Sequence, residues 1–100
     1  MSINIEVTDY EVPPLPPELM RQAINRLRED PNFTIESREL VELYEENRTG
    51  WYIPFHFSWG VSVRNWLRES ISDDMLPTGN WDDYYVEVIE CAIGVRKPQP

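Results

Sequence analysis

The chain has 100 residues, 41% hydrophobic and 12% aromatic, enough apolar material for one core without disulfide or metal staples. Acidic residues outnumber basic ones 18 to 9, and the net charge of −9 leaves no basic patch to displace counterions from nucleic acid or to hold an anionic lipid surface. The single cysteine, Cys91, excludes an internal disulfide framework, and no apolar run approaches the roughly 20 residues of a membrane span.

Near the N-terminus Ile3, Ile5 and Val7 alternate with Asn4, Glu6 and Thr8, as in a short edge strand or an arm. That start lacks the basic-then-apolar layout of a secretory signal, so a cytoplasmic location is expected. Val12-Pro13-Pro14-Leu15-Pro16-Pro17 cannot be helical before its last proline, which suits the first position of a helix. A helix is expected from about Pro17 to Arg28. Its apolar stripe is Leu19, Met20, Ala23, Ile24 and Leu27, Glu18 lies at its positive end, and Asp30-Pro31 stops it. A second helix is capped by Thr34 or Ser37 and buries Leu40, Val41 and Tyr44. Most of Glu36, Glu39, Glu42, Glu45 and Glu46 face the other way, and the helix ends within Asn47–Gly50.

Trp51-Tyr52-Ile53-Pro54-Phe55-His56-Phe57 is too aromatic for a surface loop, while Pro54 forbids a central strand. The expectation is a buried extended segment pairing with residues 3–7. A third helix follows Ser58 or Gly60 and reaches about Ser70, with Trp59, Val63, Trp66, Leu67 and Ile71 on one side. After a polar turn over 72–79, Asn80 caps a fourth helix with Asp82 and Asp83 in its first turn. Trp81, Tyr84, Tyr85, Val88, Ile89 and Ala92 form its stripe, Gly94 is placed for a left-handed cap, and Pro98 blocks extension.

Few residues could carry chemistry. His56, between Phe55 and Phe57, reads as a core histidine with satisfied nitrogens, or else as a general base or ligand. Zinc needs three or four ligands, and one histidine and one cysteine at unsuited spacing do not supply them, so no metal and no cofactor are expected. Asp73-Asp74 and Asp82-Asp83 are adjacent pairs that do not share a helical face; the second is explained as a helix start and the first as a turn or a partner for arginine. Arg64-Asn65 lies among apolar residues, and an unpaired buried charge costs several kcal/mol. Arg64 is therefore expected either to bridge to Asp73 or to the fourth helix, or to wait with His56 for an anionic ligand. Cys91, close to Glu87 and Glu90, reads as an inert thiol. Pro13-Pro14-Leu15-Pro16 fits the ligand patterns of SH3 and WW domains, or more simply a stiff lead-in to the first helix.

At His56-Phe57-Ser58-Trp59-Gly60-Val61-Ser62-Val63-Arg64-Asn65-Trp66 the sequence resembles a family of short bacterial proteins, a domain of unknown function. Its core reads H-x-x-x-G-x-x-x-R-N-x-W, followed by D-D-M and a final helix. His56, Gly60, Arg64, Asn65, Asp73, Asp74 and Met75 correspond in order. Ser58 stands where members carry a second glycine, and Trp66 follows Asn65 without the intervening residue. The resemblance spans about residues 12–94 but is specific only in the centre. It implies a mostly helical fold, links His56, Gly60, Arg64 and Asn65 as one cluster, and supplies no activity.

The sequence thus predicts a mainly α, compact four-helix domain over residues 1–100. Its core would be about 12–94, with an arm or edge strand at 1–11, a mobile tail at 95–100 and a minor two-stranded β element. The expected function is a non-enzymatic protein-protein interaction or regulatory module whose partner is a protein with a basic surface, without direct nucleic-acid or membrane binding. The alternative is a small anionic-ligand or enzymatic site of His56, Arg64, Asn65, Asp73 and Asp74.

Overall fold

A computed structural model describes residues 12–98, the side chains of Asn32, Thr34, Ile35 and Glu36 excepted. Among the described residues the chain forms helices Pro17–Arg28 (α1), Pro31–Glu46 (α2), Trp59–Ser70 (α3) and Tyr85–Ala92 (α4). Three short 3-10 turns, at 53–55, 73–75 and 81–83, lie in the connections. The expected mainly α, four-helix architecture is what the chain adopts.

Helix α1 begins where proline chemistry allows it. Pro17 takes the first helical position, Glu18 lies in the first turn, and Met20, Ala23, Ile24 and Leu27 are buried along one stripe. Pro31 both closes the linker after α1 and opens α2, three residues earlier than Thr34 and six earlier than Ser37. A first-position proline forfeits no hydrogen bond, so the residue expected as a stop also serves as a start. The earlier start buries Phe33 with Leu40, while Val41 and Tyr44 are half-buried. Upstream, Leu15 is buried and the carbonyl of Pro13 accepts a 2.7 Å hydrogen bond from the Tyr84 hydroxyl. The proline-rich lead-in is therefore tied to the core.

The segment from Trp51 to Phe57 departs from expectation. It is a run of tight turns, with Ile53 donating to the Gly50 carbonyl, Phe55 to Tyr52, His56 to Ile53 and Ser58 to Phe55, all at 2.9–3.3 Å. Backbone donors satisfied locally need no strand partner. Pro54 fits the start of the 53–55 turn, and no strand occurs among the described residues. Residues 3–7, the other half of the expected β pair, lie outside the described residues, as does the arm 1–11. Trp51 is buried as anticipated, but Ile53 and Phe57 are turned outward.

The centre of the core is the stretch from Trp81 through α4. Trp81 is fully buried and donates its indole N–H to the Ile71 carbonyl at 2.9 Å; Tyr84, Tyr85, Val88 and Ile89 continue the buried face against α1 and α3. Asn80 accepts from the Asp82 amide at 2.9 Å, but the cap starts a 3-10 turn, and the α-helix proper begins only at Tyr85. At the other end Gly94 adopts φ +88°, the Gly94 amide donates to Cys91 and the Val95 amide to Glu90. These two bonds are the Schellman closure of a helix.

The tail is not free at once after that cap. Glu90 is buried, accepts from the Trp51 indole at 2.9 Å and pairs with Arg96 at 3.0 Å. Burial and the nearby Glu87 push the Cys91 thiol up, so it stays protonated and unreactive near neutrality.

Replacing Gly94 by alanine forces a Cβ into the left-handed region. We expect Gly94→Ala to lower unfolding free energy by about 1–2 kcal/mol in a urea titration, with m unchanged.

Candidate functional site

His56, Gly60 and Arg64 meet where α3 begins, against the 51–58 turns. Gly60 makes this approach possible: a Cβ there would sit 2.9 Å from the Phe55 carbonyl oxygen, closer than a side chain tolerates, and a tight 3.2 Å from the Tyr85 hydroxyl. One helical turn on, Arg64 is buried, and its donors are divided among three acceptors. Nε pairs with Asp82 at 2.9 Å, Nη2 donates to the His56 carbonyl at 2.9 Å, and Nη1 lies 3.2 Å from His56 Nδ1. The guanidinium carbon also sits 4.7 Å above the Tyr85 ring.

That geometry assigns the histidine tautomer. An arginine nitrogen only donates, so Nδ1 of His56 accepts, the 2.7 Å contact with Tyr85 is a donation from its hydroxyl, and the ring proton is on Nε2. Burial pushes the Tyr85 hydroxyl above its ordinary range despite the opposing charge of Arg64, which keeps it protonated for this role. The imidazole is half-buried between Tyr85 and Phe57, with ring centroids at 5.7 and 4.8 Å.

The other expected site residues gather elsewhere. Arg68 pairs with Asp73 through Nε and donates from Nη1 to Asn65 Oδ1 at 2.7 Å, while Asp73 also accepts the Trp81 amide at 3.1 Å. Asp74 is exposed. Thus His56 and Arg64 come together, Asn65 and Asp73 meet on Arg68, and the carboxylate that answers Arg64 is Asp82. Sequence reasoning took Asp82 for a helix-start residue and Tyr85 for core. Of the two bridges expected for Arg64, the one to the start of the fourth helix is made, through Asp82, and the one to Asp73 is not. Among the described residues no three histidine, cysteine or carboxylate side chains gather as a metal site, and no helix is long and apolar enough to cross a membrane.

A different surface stands out beside the cluster. Phe57 is 88% exposed and Ile53 64%, with Val61 also exposed. A groove of about 190 Å³ lies between α2 and the same stretch of chain, lined by Leu40, Leu43 and Glu39 of α2 and by Phe55 and Trp59. Sequence reading had no signal for this ledge, because aromatic residues in a run read as buried.

Comparison with family models, with curated proteins and with solved structures returned no match to this chain.

Two measurements test this geometry. Asp82 is 46% exposed at its side chain and Arg64 9%, so losing the carboxylate strands an enclosed cation. We expect Asp82→Asn to cost about 1.5–3 kcal/mol in chemical denaturation, with a double-mutant cycle against Arg64→Met showing coupling. A loss below about 0.5 kcal/mol would mean Asp82 does not hold the arginine. The second is pH dependence. The hydrogen bond from Arg68 holds the Asp73 carboxyl below its ordinary 3.8, partial desolvation opposes this, and the Trp81 amide reinforces it. A depressed folded value means that the contribution is fully present above pH about 4 and is lost as pH falls through the folded value. Thermal unfolding from neutral pH to about pH 2 should therefore fall less steeply in acid for Asp73→Asn than for the unaltered chain.

Proposed function

We propose that this chain is a non-enzymatic protein-interaction module whose docking surface is the apolar ledge of residues 53–61. The observation that carries the reading is the outward placement of Phe57, 88% exposed, and Ile53, 64% exposed, on a segment of fixed turns. Large apolar side chains held at the surface and pre-organised are the usual anchors of protein recognition. Arg64 supports the ledge from below, since it binds both the carbonyl and the ring of His56, the residue next to Phe57.

The anionic-ligand or enzymatic reading is less well supported. Every nitrogen of Arg64 already has an acceptor, so an anion would have to displace Asp82. Asn65 and Asp73 answer Arg68 instead. The acidic balance favours a partner with a basic surface over nucleic acid. The buried, protonated Cys91 fits a reducing compartment, and the cytoplasm is the location we propose.

Affinity capture from the cells that express the protein tests this. Ile53→Ser with Phe57→Ser should leave thermal stability within about 0.5 kcal/mol, since both side chains are exposed, and should deplete a captured partner by at least about tenfold. Equal capture by both forms, or capture of nothing by either, overturns the proposal.

A further inference from the structure

We infer that the groove between α2 and the Phe55–Trp59 stretch takes one large apolar side chain from a cationic segment of a partner protein, its lysines or arginines lying along the carboxylates of α2. This inference rests on the interaction reading above and specifies its partner. The groove volume, about 190 Å³, is below the roughly 300–1,000 Å³ of small-molecule sites, so a metabolite would be poorly enclosed while a single side chain fills it. Its lining is apolar except for Glu39: Leu40 and Leu43 face Phe55 and Trp59, and the last two rings meet edge-on at 6.4 Å.

The charge around it is one-sided. Glu39, Glu42 and Glu46 recur at helical spacing along the same side of α2 as Leu43, and Glu42 and Glu46 are exposed. None of the three pairs with a cation in the ion pairs found among the described residues. Arg38 is the one basic residue of α2, and the facing wall from Ile53 to Val61 holds no ionisable side chain but His56. Unpaired carboxylates beside an apolar slot steer and orient a cationic ligand, with an effect that salt weakens. A second copy of this chain is a worse occupant, since it would bring another net charge of −9 against the same glutamates.

The test uses the full chain with nitrogen-15-labelled indoles, following the Trp59 N–H signal during titration with three synthetic peptides. One has a central leucine flanked by lysines, one the same leucine flanked by glutamates, and one lysines with no leucine. The lysine-flanked leucine peptide should shift Trp59 saturably, bind at least about tenfold more tightly than either other peptide, and weaken as salt rises. Leu43→Glu should abolish the shift, and Glu39→Lys with Glu42→Lys should reverse the preference between flanks. No Trp59 shift at about millimolar peptide, equal binding of the two leucine peptides, or equal binding of the leucine-free peptide overturns the inference. Loss of partner capture in the Ile53, Phe57 variant together with silent peptides would sink the groove alone; unchanged capture would sink the interaction reading itself.

Discussion

A guanidinium cannot give up its proton inside a protein, so the enclosure of Arg64 dictates what surrounds it. Each part of its planar group meets a different element: Asp82 before α4, the carbonyl and ring of His56 in the turns, and the face of Tyr85 in α4. One cation on α3 thereby ties the turns just before that helix to the stretch that opens α4. Gly60 is the steric condition of this arrangement, because any side chain there would push α3 away from Phe55 and Tyr85. The exposed ledge depends on it in turn, since Phe57 is carried by the residue that the arginine grips.

The same logic recurs around the indoles. Trp81 donates to the Ile71 carbonyl, Trp66 to the Arg26 carbonyl at 2.8 Å, and Trp51 to Glu90. Arg26 returns the contact, donating from Nε to the Trp66 carbonyl at 3.1 Å with its guanidinium carbon 3.6 Å above the ring. Helices α1 and α3 are clasped by this reciprocal pair, with Glu69 and Glu29 completing the charge of Arg26 at 3.0 and 3.5 Å. Large rings thus supply buried area while their single polar atoms set the register between elements.

What the sequence made legible follows from how local each feature is. Helix α1 and the Gly94 cap were readable because their determinants lie within a few residues: a proline at the first position, a stripe at period 3.6, a glycine past the last turn. Arg64 was readable as a charge in need of a partner, since the need is local even when the partner is not. Asp82 was hidden because its choice depends on how the 71–80 connection folds back. The 51–57 segment misled because burial was inferred from residue type. Trp51 is indeed enclosed, but Pro54 and successive i to i+3 bonds wind the chain so that Ile53 and Phe57 turn away from the core.

The buried carboxylate of Glu90 couples the core to residues beyond the last helix. It lies beneath the surface between an indole N–H from the Trp51 turn and a guanidinium contributed by Arg96, two residues past the glycine that ends the last helix. Shortening the protein at Gly94 would delete no helix and no core side chain, yet it would leave an enclosed anion with a neutral donor as its sole companion. Fusion points and proteolytic trimming at this terminus therefore act on the interior through charge, even though the residues removed are themselves outside it.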